Sequence, residues 1–207
     1  MVRTTRRKYA ARLPPEQRRD QLLDGALRLI GDGFGVLTME AVAREAGVTK
    51  PVLYEQFANR AEVVDALLAR EAERATEQVL AALPVDFAER GPEDAFAHAV
   101  EVFVRAVLEA PERWRLVLMP PDGTPREFRA RVEEVRAGLL AQVEALAALG
   151  LQTRGGPADV DPELLGHAML ALGEMAGRLV LTDSAHFTPE RVVAFVGRIA
   201  HLLPGGE

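Results

Sequence analysis

Cysteine is absent from this chain of 207 residues, so neither disulfide bonds nor thiolate metal sites can form. Aromatic residues are scarce, at 5%, and serine occurs only once, at position 184. An apolar run of membrane-spanning length is also lacking, because the best candidate, residues 164–182, contains His167, Glu174 and Arg178. These absences exclude a disulfide framework and favour a cytoplasmic protein without a membrane partner.

Charge is divided unevenly along the chain. Residues 1–60 carry 11 Lys and Arg against 7 Asp and Glu, a balance of +4, whereas residues 61–207 carry 14 against 24, a balance of −10, which gives −6 in total. A basic N-terminal segment on an otherwise acidic chain favours a polyanion as the binding partner of that segment. We call the acidic remainder, residues 61–207, the body. The first residues, VRTTRRKYAAR, lack the apolar run of a signal peptide. They are either an arm that contacts a DNA groove or a solubilising tail.

Alanine, leucine, glutamate and arginine dominate the sequence, and no stretch alternates apolar and polar residues as a strand would. Proline with an acidic residue one or two positions later recurs in GPED, TPRE, DPEL and TPER, a pattern typical of helix starts. The sequence therefore predicts an all-α fold of about nine helices, at residues 15–32, 38–47, 49–57, 59–82, 93–109, 112–119, 125–149, 162–182 and 189–203.

Two short helices joined by Gly47, Val48 and Thr49 are predicted within residues 38–57. Thr38 and Thr49 are natural N-caps, and a glycine suits the end of the first helix. This pattern predicts a helix-turn-helix, whose second helix enters the DNA major groove. The alternative is a helical hairpin whose polar tip only faces water.

The outward positions of the second helix carry side chains suited to DNA. Lys50 can donate to guanine or to a phosphate, and Thr49 can contact a base edge. Pro51 offers an apolar surface to a thymine methyl group, and the Tyr54 hydroxyl suits a phosphate oxygen. These residue types favour nucleic-acid recognition over a surface that is merely soluble.

Residues 18–68 resemble the DNA-binding region of the TetR family of bacterial one-component regulators. The resemblance lies in GFGVLTMEAVAREAGVTKPVLYEQF followed by NRAEVVDALL. Pro51, Gln56 and Arg60 depart from the residues common in the family, although Arg60 keeps a phosphate-binding charge. The resemblance implies a DNA-binding domain at 1–58, a helical effector-binding and dimerisation domain at 59–207, and double-stranded operator DNA as a partner. The implied DNA-contacting residues are Thr38, Thr49, Lys50, Pro51, Tyr54, Gln56 and Arg60.

The helices at 162–182 and 189–203 are predicted to pair with those of a second copy of the chain. The first is apolar over most of its circumference and has a glycine stripe where another backbone could approach closely. The alternative is a core helix within one chain. The predicted homodimer interface comprises Gly166, Leu170, Gly173, Gly177, Val192, Phe195, Val196 and Ile199.

Aromatic and aliphatic residues of the middle helices are the candidates for a small-molecule site. Their helical spacing is also that of ordinary core packing, but a pocket lined by them would take a mostly apolar effector. His98 and Arg105 are the nearest polar anchors. The predicted lining is Phe96, Val100, Phe103, Trp114, Leu118, Phe128 and Val132.

An enzyme is not predicted. GDGFG follows a helix rather than a strand, and the four histidines show no metal-ligand spacing. Ser184 has Asp183 and His186 nearby, but three neighbours in one loop do not make a triad. We therefore expect no catalytic residue, cofactor or metal. A DNA-architectural protein without a ligand is the main alternative to a ligand-responsive repressor.

Overall fold

The computed structural model describes residues 13–31, 33–83, 91–154 and 160–201, so the N-terminal arm lies outside it. Within these ranges the chain forms nine α-helices, one short 3₁₀-helix and no strand, which confirms the predicted all-α fold. The 3₁₀-helix is Phe34–Val36. The α-helices are α1 (Pro15–Ile30), α2 (Met39–Glu45), α3 (Lys50–Tyr54), α4 (Arg60–Ala82), α5 (Pro92–Glu109), α6 (Pro111–Leu118), α7 (Arg126–Arg154), α8 (Pro162–Thr182) and α9 (Pro189–His201).

Most helix starts follow the predicted signals. The Thr38 hydroxyl accepts from the Ala41 amide at 3.1 Å, and Asn59 Oδ1 accepts from the Glu62 amide at 3.0 Å. Glu62 reaches back to the amide of Ala58, the residue before the cap, at 2.9 Å, which makes a variant of the capping box. Thr49 precedes α3 in an extended conformation, but its side chain makes no capping hydrogen bond.

One helix boundary is corrected by the structure. The helix predicted at 125–149 continues to Arg154, because Gly150 keeps a helical conformation and does not end it. The Thr153 hydroxyl donates to the Leu149 carbonyl at 3.0 Å within this added turn. A glycine ends a helix only where the chain turns out of the helical conformation, and here it does not.

The largest apolar cluster is built from α1 to α4 and extends into the body. It includes Leu22, Leu53 and Leu67, all at 0% exposure, together with Leu116 of α6 and Phe128 of α7. The helices around the short pair are therefore packed directly on the body. The division between residues 58 and 59 stays a prediction.

Helix α8 is the one described helix long and apolar enough to cross a membrane by length and composition. It packs against α5, α6 and α7 of the same chain and carries Glu174, whose carboxylate lies 2.6 Å from Arg136. Only 28% of its most apolar window is buried within the chain. Much of the apolar surface of α8 is therefore turned outward.

Candidate functional site

The turn between α2 and α3 has the geometry that the sequence predicted. Gly47 has a φ of +69°, a left-handed conformation that favours glycine, and the Val48 amide donates to the Ala43 carbonyl at 2.9 Å. Helix α1 crosses close to this turn, since a Cβ added to Gly25 would lie 3.1 Å from the backbone nitrogen of Ala46. Because Gly25 and Ala46 are both small, α1 can pack closely against the turn between α2 and α3.

Helix α3 buries one face and exposes the other. Leu53 is 0% exposed and anchors the helix in the core. Thr49, Lys50, Pro51 and Tyr54 are all exposed, and the Tyr54 side chain is 53% accessible. The Lys50 ammonium lies 3.1 Å from the Glu40 carboxylate, so α2 holds it beside the exposed face. The structure thus brings together four of the seven predicted DNA-contacting residues on one surface, which we call the α3 face.

The other three predicted DNA-contacting residues lie around the α3 face. Thr38 is exposed at the start of α2, where its hydroxyl serves as the cap. The Gln56 backbone carbonyl accepts from Arg19 at 3.1 Å. Arg60 donates from Nε to the Leu37 carbonyl at 2.7 Å and from Nη2 to the Phe34 carbonyl at 2.6 Å. Arg60 therefore has a structural role that the sequence did not predict, and its phosphate contact stays a prediction.

Arg19 lies beside the α3 face and was not among the residues predicted from the sequence. Its guanidinium stacks over the Phe57 ring, 4.2 Å from the ring centre, while it donates to Gln56. A basic residue in α1 gives no local signal of this role, because the contact depends on how α1 crosses the short helices.

A cavity of about 220 Å³ lies in the body among α4, α5, α6, α7 and α8. Five of the seven predicted residues line it. Trp114 is 1% exposed and forms an edge-to-face pair with Phe103, with ring centres 4.8 Å apart. The predicted residues that line the cavity are Val100, Phe103, Trp114, Leu118 and Val132.

Phe96 and Phe128 are not among the residues that line this cavity, and their contact with a ligand stays a prediction. Phe96 packs against the cluster formed by α5, α8 and α9, and Phe128 is buried in the core below the short helices. Helical spacing showed correctly that each faces inward. It could not show that their neighbours Val100 and Val132 would line the cavity while these two would not.

Three further helix faces of the cavity were missed. Ala72, Ala75 and Val79 of α4 form one wall, and Leu139 and Val143 of α7 another. Leu170 and Gly173 of α8, predicted at a dimer interface, line the cavity instead. Alanine and valine on an amphipathic helix carry no sequence signal that separates a cavity wall from a core.

The charged groups of the cavity lie on α7 and α8. Arg136 Nε donates to Glu174 Oε1 at 2.6 Å, and Arg178 Nη2 donates to Glu174 Oε2 at 3.4 Å. The hydrogen bond to Glu174 raises the pKa of Arg136 above its ordinary value, against the opposing effect of burial. His98 and Arg105, the anchors suggested by the sequence, both pair with Glu101 and do not line the cavity.

The glycine stripe of α8 faces the inside of the chain, so its assignment to a dimer interface was wrong. A Cβ added to Gly166 would lie 2.9 Å from Glu144 Cα of α7, and one added to Gly177 would lie 2.8 Å from Leu118 Cδ1. Val192 and Val196 of α9 are likewise buried within the chain. The alternative, a helix packed within one chain, holds for these residues.

The opposite face of α8 is the one left uncovered. Leu164 is 68% exposed, Ala168 and Ala171 are exposed, and Met175 is half-buried. These residues are three or four positions apart and lie on one side of the helix. Phe195 of α9, 49% exposed, keeps its predicted outward position, and Ile199 is half-buried. We call Leu164, Ala168, Ala171 and Met175 the outer face of α8.

A buried ionic network joins α1, α4 and α6. Glu71 of α4 is 0% exposed, and its carboxylate accepts from Arg70 at 2.8 Å and from Arg113 Nε at 2.7 Å. Arg70 also lies 3.0 Å from Asp20 and 2.9 Å from Asp24, both on α1. Burial lowers the pKa of Arg70, but the hydrogen bond to Asp20 and the nearby Glu71 and Asp24 charges outweigh burial and raise it.

This ionic network reaches the cavity wall. Arg113 Nη1 donates to Gln78 Oε1 at 2.9 Å, and the same oxygen accepts from the Trp114 indole nitrogen at 3.1 Å. A continuous chain of polar contacts therefore runs from Trp114 in the cavity to Asp20 and Asp24 on α1. Within the described ranges, no group of three or more His, Asp or Glu has the arrangement of a metal site.

Comparison with known proteins places the short helices in a family. Residues 22–67 match the family model described as bacterial regulatory proteins, tetR family. The chain is 32% identical over 123 residues to the transcriptional activator FasR of Mycolicibacterium smegmatis, covering 59% of this chain and 55% of FasR. It is 28% identical over 144 residues to an uncharacterized HTH-type transcriptional regulator of Mycobacterium tuberculosis, covering 68% of this chain and 59% of that protein. The matches thus span little more than half the length of these relatives.

Solved structures share the whole fold. A TetR-like regulator from Rhodococcus sp. RHA1 superposes with a TM-score of 0.73 at 24% identity, covering 92% of this chain and 97% of that one. FadR of Bacillus subtilis, solved in complex with stearoyl-CoA, gives 0.61 at 16% identity, covering 89% and 96%. With the family model that matches residues 22–67, these findings show a tetR-family helix-turn-helix between α1 and α4, and the chain as a whole shares the fold of TetR-family transcriptional regulators.

Proposed function

We propose that this protein is a ligand-responsive repressor that binds a near-palindromic operator as a homodimer and is released by a small, mostly apolar effector. The observation that carries this proposal is the α3 face, with its exposed polar groups, mounted on a body that contains an apolar cavity. We place its action in the cytoplasm, where the operator DNA is. No catalytic residue is part of the proposal.

DNA recognition is assigned to the α3 face. Lys50 and Thr49 lie at the start of α3, which is the end of a recognition helix that approaches base edges. Tyr54 lies one turn later, where its hydroxyl can donate to a phosphate. The Glu40 carboxylate competes for Lys50 in the free protein, so binding DNA exchanges one partner for another. Thr38, Pro51, Gln56 and Arg60 complete the proposed contact surface.

The homodimer is assigned to the outer face of α8 together with Phe195. Leu164 of α8 and Phe195 of α9 are exposed, Met175 is half-buried, and only 28% of the most apolar window of α8 is buried within the chain. Covering these apolar side chains with a second surface would therefore gain free energy. A twofold axis through this face would pair α8 with α8 and α9 with α9. Two α3 helices could then enter successive major grooves about 34–36 Å apart.

Helix α4 is the proposed connection between cavity and DNA. Its first turn carries Arg60, which holds the 3₁₀-helix, and its later turns supply Ala72, Ala75 and Val79 to the cavity wall. The Glu71 network ties the middle of α4 to α1 and α6. Because buried ion pairs tolerate little displacement, a ligand that shifts α6 or α4 would also move α1 and the α3 face.

The main alternative is a DNA-architectural protein without an effector. The apolar cavity argues against it, because a protein that only bends DNA needs no such cavity. The direction of regulation is a separate part of the proposal, and the name of FasR describes that relative as an activator. A reporter gene under the selected operator, with and without the protein, distinguishes repression from activation.

The test is selection of DNA from a random pool by the wild-type protein, by Lys50→Ala and by Arg105→Ala. Arg105 is an exposed arginine on α5, paired with Glu101 and distant from the α3 face in the chain, and it serves as the matched control. We expect wild type and the control to enrich one near-palindromic sequence, and Lys50→Ala to lose preference at one position of each half. Failure of the wild type to enrich any sequence would overturn the proposal.

A further inference from the structure

The cavity combines an apolar interior with a cluster of charges at one side. The buried interior residues include Trp114, Val100 and Leu170, which are at most 9% exposed. The charged lining residues all come from α7 and α8. Arg131 and Glu133 are exposed, whereas the Arg136 side chain is 35% accessible and that of Glu174 is 17% accessible. These charged residues therefore lie at the solvent-exposed opening of the cavity, which we call its mouth. The interior of the cavity is apolar.

This charged mouth has an excess of positive charge. Three arginines, at positions 131, 136 and 178, face two glutamates, at 133 and 174, a balance of +1. The surrounding body, residues 61–207, carries −10, so a cationic patch here runs against the overall charge. A wholly apolar ligand that covered this mouth would remove water from the Arg136–Glu174 pair and give no hydrogen bond in return.

From this arrangement we infer that the effector is an anionic amphiphile, whose apolar chain fills the cavity and whose carboxylate binds the terminal nitrogens of Arg136 beside Arg178. The inference rests on the proposed role of the cavity as the effector site. Glu174 accepts from Arg136 through Nε, which orients the planar guanidinium. The two terminal nitrogens of such a fork match the two oxygens of a carboxylate.

The size of the cavity guides the choice of a probe. A methylene group is about as large as a water molecule, which occupies roughly 30 Å³ in the liquid, so about seven such groups fill 220 Å³. Octanoate, with its carboxylate at the mouth, has an apolar chain of this size. Octanol has a nearly identical chain without the negative charge, which makes the two compounds a matched pair of probes.

The experiment titrates the protein, without DNA, with octanoate, octanol and octanoyl-CoA, and follows the fluorescence of Trp114, the only tryptophan. We expect octanoate to bind at least about tenfold more tightly than octanol, because hydrogen bonds to a charged group stabilise more than neutral ones. Tighter binding of octanoyl-CoA than of octanoate would keep an anionic amphiphile as the effector but overturn the carboxylate as the group that binds Arg136. Equal affinities for all three, or binding of none of them, would overturn the inference.

The variants Arg136→Gln, Arg136→Lys and Arg105→Gln test the assigned residue. Arg136→Gln should weaken octanoate about tenfold while octanol binding stays unchanged, and Arg136→Lys should restore part of the loss. Arg105→Gln, the exposed control outside the cavity, should bind octanoate as the wild type does. Equal losses of octanoate and octanol in Arg136→Gln would indicate a structural role only and overturn the assignment.

These results are separable from the proposed function. DNA selection uses no ligand, and the fluorescence titration uses no DNA. An enriched operator, with octanoate binding no more tightly than octanol, would support the proposed regulator and overturn only the anionic effector. Octanoate binding without an enriched operator would support the anionic ligand and overturn the proposed regulator.

Discussion

Glu71 of α4, fully buried, accepts a hydrogen bond of 2.7 Å from Nε of Arg113 on α6. The same carboxylate accepts from Arg70, which in turn contacts α1. A buried carboxylate is tolerated only when charges and hydrogen bonds compensate its loss of water. This pair therefore joins α4 to α6, two helices that line the cavity, and Arg70 extends the connection to α1.

Removing the Glu71 carboxylate should strongly destabilise the fold. Glu71→Ala leaves the Arg70 and Arg113 side chains, 10% and 11% exposed, without their shared anion, and we expect a loss of about 3–5 kcal/mol. Unfolding in urea gives the free energy directly. Glu73→Ala, at an exposed position two residues further along α4, should change it by less than about 0.5 kcal/mol. Similar values for the two variants would refute the structural role of the network.

Lys50 and Tyr54 should differ in how they act on DNA. If Lys50 contacts a guanine, Lys50→Ala costs about 1–3 kcal/mol and relaxes preference at one operator position. Tyr54→Phe removes a proposed phosphate contact and should weaken cognate and random DNA alike. Binding measured on the selected operator and on a scrambled sequence separates the two effects. Equal losses on both sequences for both variants would contradict the assignment to Lys50.

The selected operator can also reveal the competition between Glu40 and DNA for Lys50. Glu40→Gln removes the negative charge that lies 3.1 Å from the Lys50 ammonium in the free protein. Because this ion pair is exposed, its loss should tighten operator binding by no more than about 1 kcal/mol. The effect should vanish in the Lys50→Ala background, as a double-mutant cycle would show. An undiminished effect in that background would mean that Glu40 acts by another route.

The outer face of α8 predicts where the dimer can be broken. Ala171→Arg places a charge at the centre of this face, and we expect it to weaken dimerisation by at least about 2 kcal/mol. Ala69→Arg, an equivalent exchange at an exposed position of α4, is the control and should leave the dimer intact. Sedimentation at several micromolar concentrations measures both. Sedimentation of the wild-type chain as a monomer at every concentration would contradict the proposed homodimer.

Gly166 and Gly173 should respond in opposite ways to the same substitution. Alanine at 166 brings a methyl group 2.9 Å from Glu144 Cα, a backbone atom, and should cost about 1–3 kcal/mol. Alanine at 173 meets no atom within 4 Å and should stabilise the helix by up to about 1 kcal/mol. Thermal unfolding of the two variants gives both signs. Destabilisation of the dimer alone by alanine at 166 would show that this glycine faces a partner after all.

The sequence was most informative where structure is local. Thr38 and Asn59 cap their helices through neighbouring residues, and Gly47 adopts the left-handed conformation that its turn requires, so adjacent positions carried the whole signal. The helix-turn-helix could be predicted for this reason. Its exposed residues followed from the helical period once the inward position of Leu53 was recognised.

Predictions that needed the relative placement of distant helices were less successful. Of the glycine stripe of α8, only Gly166 is approached by another backbone, and a small residue does not specify whether that backbone belongs to the same chain. Phe96 and Phe128 pack in the same clusters as their helix neighbours Val100 and Val132, but only these neighbours line the cavity. Arg113 and Glu71 lie 42 residues apart in sequence, and no local pattern predicts that they pair.

The reciprocal effect of ligand and operator on each other tests the central claim most directly. Trp114 fluorescence gives the affinity for octanoate, or for a stronger ligand from a melting screen, with and without the selected operator. If the ligand binds the DNA-incompetent state more tightly, the operator must weaken the ligand by the same factor by which the ligand weakens the operator. We expect the operator to raise the dissociation constant of the ligand, and the ligand to raise that of the operator, by the same factor. A ligand affinity that is identical with and without operator would contradict it.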